Sequence, residues 1–181
     1  MFRIPVDPTL DLVLLEPRHA PILFALIDEN RAHLRRFLPW VDTTQSPQDS
    51  AVFIHSCLEQ FARGTAVNVA LFSGPALVGL CGTHAIHWGS RRAELGYWIS
   101  SAWQGRGLMT RAVRALSAYL FFSHGLHRLE IRAASDNQKS RAVAERLGFV
   151  LEGTLREAEW LYDRYVDHAL YAILQRDFQS S

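Results

Sequence analysis

From residue 94 to 100 apolar and small positions alternate with period two: Leu95, Tyr97 and Ile99 interleave with Gly96, Trp98 and Ser100. The stretch is rich in β-branched and aromatic side chains, and this pattern predicts a strand. Directly behind it the period changes to that of a helix, with Leu108, Ala112, Leu116, Tyr119 and Leu120 on one stripe as far as about Gly125. Upstream, residues 10–16 predict a first strand, ended by Pro17. Ile22, Leu23, Leu26 and Ile27 mark a helix over 18–29, and 31–38 a second short one stopped by Pro39. Ser46-Pro47-Gln48-Asp49 reads as a helix entry, with a capping serine, a first-turn proline and an early acid. Val52, Phe53, Ile54, Leu58 and Phe61 are its expected inward face. Residues 66–72 and 76–87 predict strands joined by Ser73-Gly74-Pro75. Downstream, 128–134 predicts a strand and 138–147 a helix stopped by Gly148. A strand over 149–155, an irregular segment or single turn over 157–161, and a last strand over 165–174 complete the chain. This order describes an α/β plan in which a strand and its crossover helix return to a parallel neighbour. The whole chain, 1–181, reads as one domain.

The junction between the central strand and its helix carries the clearest chemistry. It reads Gln104-Gly105-Arg106-Gly107-Leu108-Met109-Thr110. Two glycines let a backbone approach a ligand closely. The first amides of the new helix have no helical partners and stand at the positive end of its dipole. Such a place suits a pyrophosphate, and Arg106 adds a charged donor. A tight turn is the ordinary alternative. The lysine of a P-loop and the third glycine of a dinucleotide fingerprint are both missing.

Composition narrows the classes. Among 181 residues, 49% are hydrophobic and 20% charged, and net charge is +1 with both signs mixed along the chain. That fits a globular domain with a core and gives no nucleic-acid footprint. No apolar run is long enough to span a bilayer, and no signal peptide is apparent, so a cytoplasmic protein is expected. Cys57 and Cys81 read as buried, reduced thiols. His84 and His87 stand at an odd spacing on opposite strand faces, so no metal site is expected.

The junction resembles the acyl-coenzyme A signature of the GNAT N-acetyltransferases, Gln/Arg-x-x-Gly-x-Gly/Ala. Met109 departs from the small last residue and narrows the resemblance to the RimJ/RimL branch, which acetylates the N-termini of ribosomal proteins. Asn30…Pro39-Trp40, Asn137-x-x-Ser140, Leu147-Gly148-Phe149 and Glu152-Gly153 resemble the same branch. The resemblance covers essentially the whole chain. It implies a mixed central sheet of about six or seven strands flanked by helices, with acetyl-coenzyme A as cofactor.

It also implies site residues. Gln104, Gly105, Arg106, Gly107, Leu108, Met109 and Thr110 would hold the phosphates. The backbone of Trp98, Ile99 and Ser100 would pair with the pantetheine arm, one of its N–H groups serving the oxyanion. Asn137 would contact the pantetheine. Many relatives protonate the thiolate with a tyrosine whose position matches Ala144; the RimL-like branch instead places a serine at the position of Ser140, which the resemblance makes the acid, or a hydroxyl donor to the thiolate. Two carboxylates compete as base. Glu94 lies where many family members carry one, while Glu159 matches the branch's own glutamate, acting through water, and is preferred. Each has an ordinary alternative as an ion-pair partner, as Asn137 and Ser140 have in helix capping. The acceptor implied is a protein N-terminus, by direct transfer in a ternary complex. A small amine such as an antibiotic or polyamine, or a non-catalytic coenzyme A-binding module, are the rivals. The resemblance is compatible with a homodimer.

Overall fold

The computed structural model describes residues 2–179. Its strands are β1 (Arg3–Asp7), β2 (Leu10–Leu14), β3 (Asn68–Ser73), β4 (Ala76–His87), β5 (Arg92–Ile99), β6 (Arg128–Ala134), β7 (Val150–Leu161) and β8 (Arg164–Leu174). They form one sheet in the order β1-β2-β3-β4-β5-β6-β8-β7. Every neighbouring pair is antiparallel except β5 and β6. The helices are α1 (Ala20–Glu29), α2 (Arg31–Leu34), α3 (Pro47–Ala62), α4 (Leu108–Ala118) and α5 (Gln138–Arg146).

Two cores follow from strand alternation. Ala93, Leu95, Leu129, Ile131, Ala169, Tyr171 and Ile173 turn to one face and pack on Leu108, Ala112, Val113 and Leu116 of α4 and Val143, Ala144 and Leu147 of α5. On the other face Ala70, Leu77 and Leu80 pack on Leu23 and Ile27 of α1, Leu34 of α2 and Ile54 of α3. Burying one such side chain contributes on the order of 1.5–3 kcal/mol, so the loss of either layer would strip the sheet of its support.

The sheet has eight strands, more than the six or seven expected. The extra one is β1, which pairs with β2 as an edge hairpin. Its two half-buried apolar residues, Ile4 and Val6, flank Pro5, a residue that only an edge strand tolerates. Three other expectations are corrected. The helix expected over 31–38 holds helical form only as Arg31–Leu34. In α3, Val52 and Phe53 are 71% and 43% exposed, and Ser50 and Cys57 join the expected Ile54 on the inward face. The segment 157–161 is not a separate turn but part of β7, which runs from Val150 to Leu161, and its irregularity is a bulge in the register between Leu155 and Glu159.

Pairing between β5 and β6 is short. It runs from Arg92↔Arg128 to Leu95↔Ile131 and stops. β5 then continues against β4 as far as Gly79↔Ile99, and β6 against β8 as far as Ala134↔His168. The two parallel strands therefore part at their C-terminal ends, opening a gap through the sheet with α4 starting beside one lip and α5 beside the other.

Candidate active site

The first lip is the end of β5. The Ser100 N–H donates to the Val78 carbonyl at 2.9 Å, so this group is committed to β4. Alternation turns the Trp98 amide the same way and leaves the Ile99 N–H to face the gap, while the Ile99 carbonyl is met by His33. Of the three backbone positions expected to serve the oxyanion, Trp98 and Ser100 are thus taken by β4 and Ile99 remains. Asn30, buried at the end of α1, accepts from the Ser101 N–H and hydroxyl at 2.9 and 3.0 Å, and donates to the Leu26 carbonyl. This pins the loop that follows.

Gly105 and Gly107 have φ of +74° and +70°, and a Cβ built on either meets nothing within 4 Å. Both therefore border open space, in a left-handed backbone that glycine adopts most readily. Gly107 caps α4, whose first intrahelical bond runs from Arg111 N–H to the Gly107 carbonyl. The amides of Leu108, Met109 and Thr110 precede that bond and have no helical partner. The Leu108 and Met109 side chains are buried in the core, so these residues offer the open side only backbone. A cradle that a Cβ would fill, at a helix start, fits a pyrophosphate.

The polar side chains of the loop point elsewhere. Arg106 folds back, its guanidinium 4.6 Å from the Trp103 ring centre and donating to the Ala102 carbonyl. The Gln104 amide nitrogen lies 2.8 Å from Nε2 of His33, and its oxygen accepts from Lys139 Nζ at 2.6 Å. His33 also bonds the Ile99 carbonyl. Burial lowers its pKa, the Ile99 contact draws it up, and Lys139 and Arg36 lower it further. A neutral ring accepting from the Gln104 amide is the consistent arrangement. His33 and Lys139 carried no signal in the sequence, because the link they complete joins α2, the loop and α5.

The second lip is the start of α5. The Asn137 side chain caps it, accepting from the Ser140 N–H at 3.2 Å. On the helix-covered face of β5, the Tyr97 hydroxyl donates to the Ser140 carbonyl at 2.8 Å, and the Ser140 hydroxyl donates to the Tyr97 oxygen at 3.2 Å. Burial pushes the Tyr97 phenol well above its ordinary range, so it stays a neutral hydroxyl. Ala144 is fully buried.

Both carboxylates lie on the opposite face. Glu94 shares it with Arg132, whose Nε is 3.2 Å from Oε2, and with His84, whose Nε2 is 3.9 Å from Oε1. Glu94 thus sits in a run of charged groups with Glu130, which is itself contacted by Arg92 and Arg128. Among the described residues Glu159 on β7 pairs with His168 of β8, with Nε2 3.4 Å from Oε2. The two side chains are similarly half-buried, at 26% and 31%, so depth does not separate them. The sheet gap lies between Ser140 on one face and the two carboxylates on the other.

Between α2 and the β7–β8 hairpin is an open cavity of about 560 Å³, lined by Arg35, Arg36 and Phe37 on one side and by Tyr162 and Arg164 on the other, among others. The hairpin tip is tied to the α2 segment. The Tyr162 hydroxyl donates to the Leu38 carbonyl at 2.6 Å, and the Arg35 guanidinium lies 3.8 Å from the Tyr162 ring centre. Trp40 packs against Trp98 with ring centres 6.1 Å apart, joining the second core to the β5 lip. Among the described residues no group of three or more His, Cys, Asp or Glu could hold a metal ion.

The chain matches known proteins over nearly its whole length. A family model described as an acetyltransferase (GNAT) domain matches residues 9–150. The ribosomal-protein-serine acetyltransferase of Escherichia coli is 34% identical over 169 residues, 93% of this chain and 94% of that one. A solved structure of RimL, a ribosomal L7/L12 α-N-protein acetyltransferase, contains coenzyme A joined to a cysteine by a disulfide. It superposes with a TM-score of 0.93 at 31% identity, covering 96% of this chain and 98% of that chain. The microcin C7 self-immunity acetyltransferase, solved with acetyl-CoA and AMP, superposes with a TM-score of 0.90 at 27% identity, covering 94% and 95%.

Proposed function

Because the chain belongs to the GNAT acetyltransferase family and is an acetyl-coenzyme A-dependent N-acetyltransferase, we propose that its acceptor is the N-terminal α-amine of a protein, a ribosomal protein first among candidates. The bound acetyl-coenzyme A supplies the acetyl thioester. The unpaired amides at Leu108, Met109 and Thr110, behind Gly105 and Gly107, hold its phosphates. Gln104 and Arg106 border that cradle. The Ile99 backbone and Asn137 hold the pantetheine arm along the gap, and the Ile99 N–H steadies the oxyanion. Glu159 takes the amine proton through water, and the Ser140 hydroxyl donates a hydrogen bond to the departing thiolate. Glu94, paired with Arg132 and near His84, is the reserve for the base.

The observation that carries this reading is the placement of Ser140 and the carboxylates on opposite faces of the open gap. An amine can then approach from the carboxylate side while the thiolate leaves toward α5. The free amine of a protein N-terminus has a pKa of about 7.7–8.0, against about 10.4 for lysine. A carboxylate acting through one water suits the former. The open cavity beside α2 leaves room for a peptide end, and the likeness to the Escherichia coli serine acetyltransferase supports a ribosomal acceptor.

Three further points belong to the same reading. The chain acts as one domain from 1 to 181. It works in the cytoplasm. Among the described residues no helix is long and apolar enough to cross a membrane. A second copy covers the exposed edge strand β7, where Val150 and Trp160 are 66% and 54% exposed beside Tyr165 at 60%. The deciding experiment offers acetyl-coenzyme A with matched peptides whose N-termini are free or blocked, each containing an internal lysine, and follows thiol release. Transfer to the free N-terminus alone is expected. Equal rates on both would move the acceptor to a side-chain amine.

A further inference from the structure

Residue 140 is held at three points: its N–H by Asn137, and its carbonyl and hydroxyl both by Tyr97. A cap needs only the first. The Tyr97 phenol crosses from the central strand to the helix that starts at the other lip, spanning the place where β5 and β6 have parted. We infer that Tyr97 is a positioning residue for the acetyl transfer, aiming the Ser140 hydroxyl at the sulfur of the departing coenzyme A. This rests on the reading of Ser140 as donor to that thiolate.

The phenol has one hydrogen and two acceptors within reach on the same residue, the carbonyl at 2.8 Å and the hydroxyl oxygen at 3.2 Å. At rest its hydrogen goes to the carbonyl, and the Ser140 hydrogen is directed at the phenol oxygen. As the acyl carbon–sulfur bond breaks and the carbon–nitrogen bond forms, the electron pair stays on sulfur and the amine proton leaves with Glu159. The Ser140 hydrogen then turns to the thiolate. The phenol follows by turning its own hydrogen from the carbonyl to the Ser140 oxygen, which strengthens that hydroxyl as a donor through a hydrogen-bonded chain. Neither hydroxyl gives up its proton. Burial keeps the phenol protonated throughout. Carbonyl and hydroxyl thus form a two-position rest for one hydrogen, which a merely structural strap would not need.

The test is a double-variant cycle on Tyr97→Phe and Ser140→Ala. Single-turnover rates at saturating acetyl-coenzyme A are read beside calorimetric coenzyme A affinity and melting temperature. Tyr97→Phe keeps the ring and should slow turnover about 10- to 100-fold, the scale of one hydrogen bond to a charged group. Coenzyme A affinity should hold within about twofold, because the contact matters as the thiolate forms. The double variant should be no slower than Ser140→Ala alone. Ser140→Thr, which keeps a hydroxyl, should retain sensitivity to Tyr97→Phe. A Tyr97→Phe protein at wild-type rate beside a slow Ser140→Ala would overturn the inference. So would a double variant slowed by the product of the single effects, or coenzyme A affinity falling in step with rate. Ser140→Ala at wild-type rate would instead remove the role of Ser140 on which all this stands.

Discussion

Glu159 and His168 meet across the β7–β8 hairpin, Oε2 to Nε2 at 3.4 Å, because β7 is irregular just before the contact. Leu155 pairs with His168 and Glu159 with Val166, so β7 uses four residues where β8 uses two. The excess is absorbed at Glu157, whose φ is +49° and whose N–H donates to the Asp167 carboxylate at 2.7 Å. The bulge thereby places Glu159 opposite Val166 instead of Arg164, within reach of His168 on the same face, so that its carboxylate meets an imidazole where Glu94 meets the Arg132 guanidinium.

That difference predicts unequal effects at the two carboxylates. Glu159→Gln should lower turnover by about 10²–10⁴-fold, the usual contribution of a positioned base. Coenzyme A affinity should be kept, and rate should recover at high pH as free amine accumulates. Glu94→Gln should cost less in rate and more in melting temperature, since it removes the nearer of Arg132's two carboxylates, at 3.2 Å, and leaves Glu130 at 4.0 Å. The pH–rate profiles of both variants decide it. The reverse ordering would give the role of base to Glu94.

The cradle predicts a separable loss of cofactor. At Gly107 a valine side chain would point into open space, yet φ is +70°, a conformation costing other residues roughly 1–2 kcal/mol. Gly107→Val should therefore fold with a modest drop in melting temperature and lose coenzyme A affinity at least about tenfold, the equivalent of one charge-assisted hydrogen bond. Calorimetry measures it, and undiminished affinity would take the phosphates away from this turn.

Much of this was legible where a segment obeys one period. β5, the junction and α4 follow from alternation giving way to a helical stripe, and the Ser46 cap of α3 from local chemistry. β1 was hidden because Pro5 and Pro8 interrupt a strand whose inward positions are only Ile4 and Val6. β7 was split in the sequence because the residues of its bulge break period two at the point where Glu157 takes positive φ. In the site, the glycines and the Asn137 cap were visible as local patterns. The contacts of Tyr97 with Ser140, His33 with Gln104, and His168 with Glu159 were not, because each joins elements that only the sheet brings together.

The thiols predict resistance to a reaction that the RimL structure displays, a disulfide between coenzyme A and a cysteine. Here Cys57 is buried in α3 and burial pushes its thiol up to about 12, while Cys81, fully buried in β4, is raised further. The thiolate is the reactive form, so neither should exchange near neutral pH. Native protein treated with coenzyme A disulfide should gain no mass, and both cysteines should label once it is denatured. A mixed disulfide on native protein would show that one of these sites opens.

The last prediction concerns acid. His19 is buried at the entry to α1, and its Nδ1 accepts the Glu16 N–H at 3.0 Å. That bond requires an unprotonated Nδ1. Burial lowers the His19 pKa, Arg18 lowers it further, and Glu16 partly offsets them. His33 and His124 are lowered too, burial again leading. The sign follows from linkage. With the folded value below the ordinary histidine value of about 6.5, the unfolded chain binds more protons between the two, and stability rises with pH there. The contribution is whole above about pH 6.5 and is lost as pH falls through the folded values. Melting temperature should therefore begin to decline as pH falls below about 6.5, before carboxylates with ordinary values near 4 begin to protonate. His19→Gln, which keeps an acceptor but cannot titrate, should flatten part of that slope. Melting curves of the two proteins at matched ionic strength measure it, and an unchanged slope would remove His19 from the acid response.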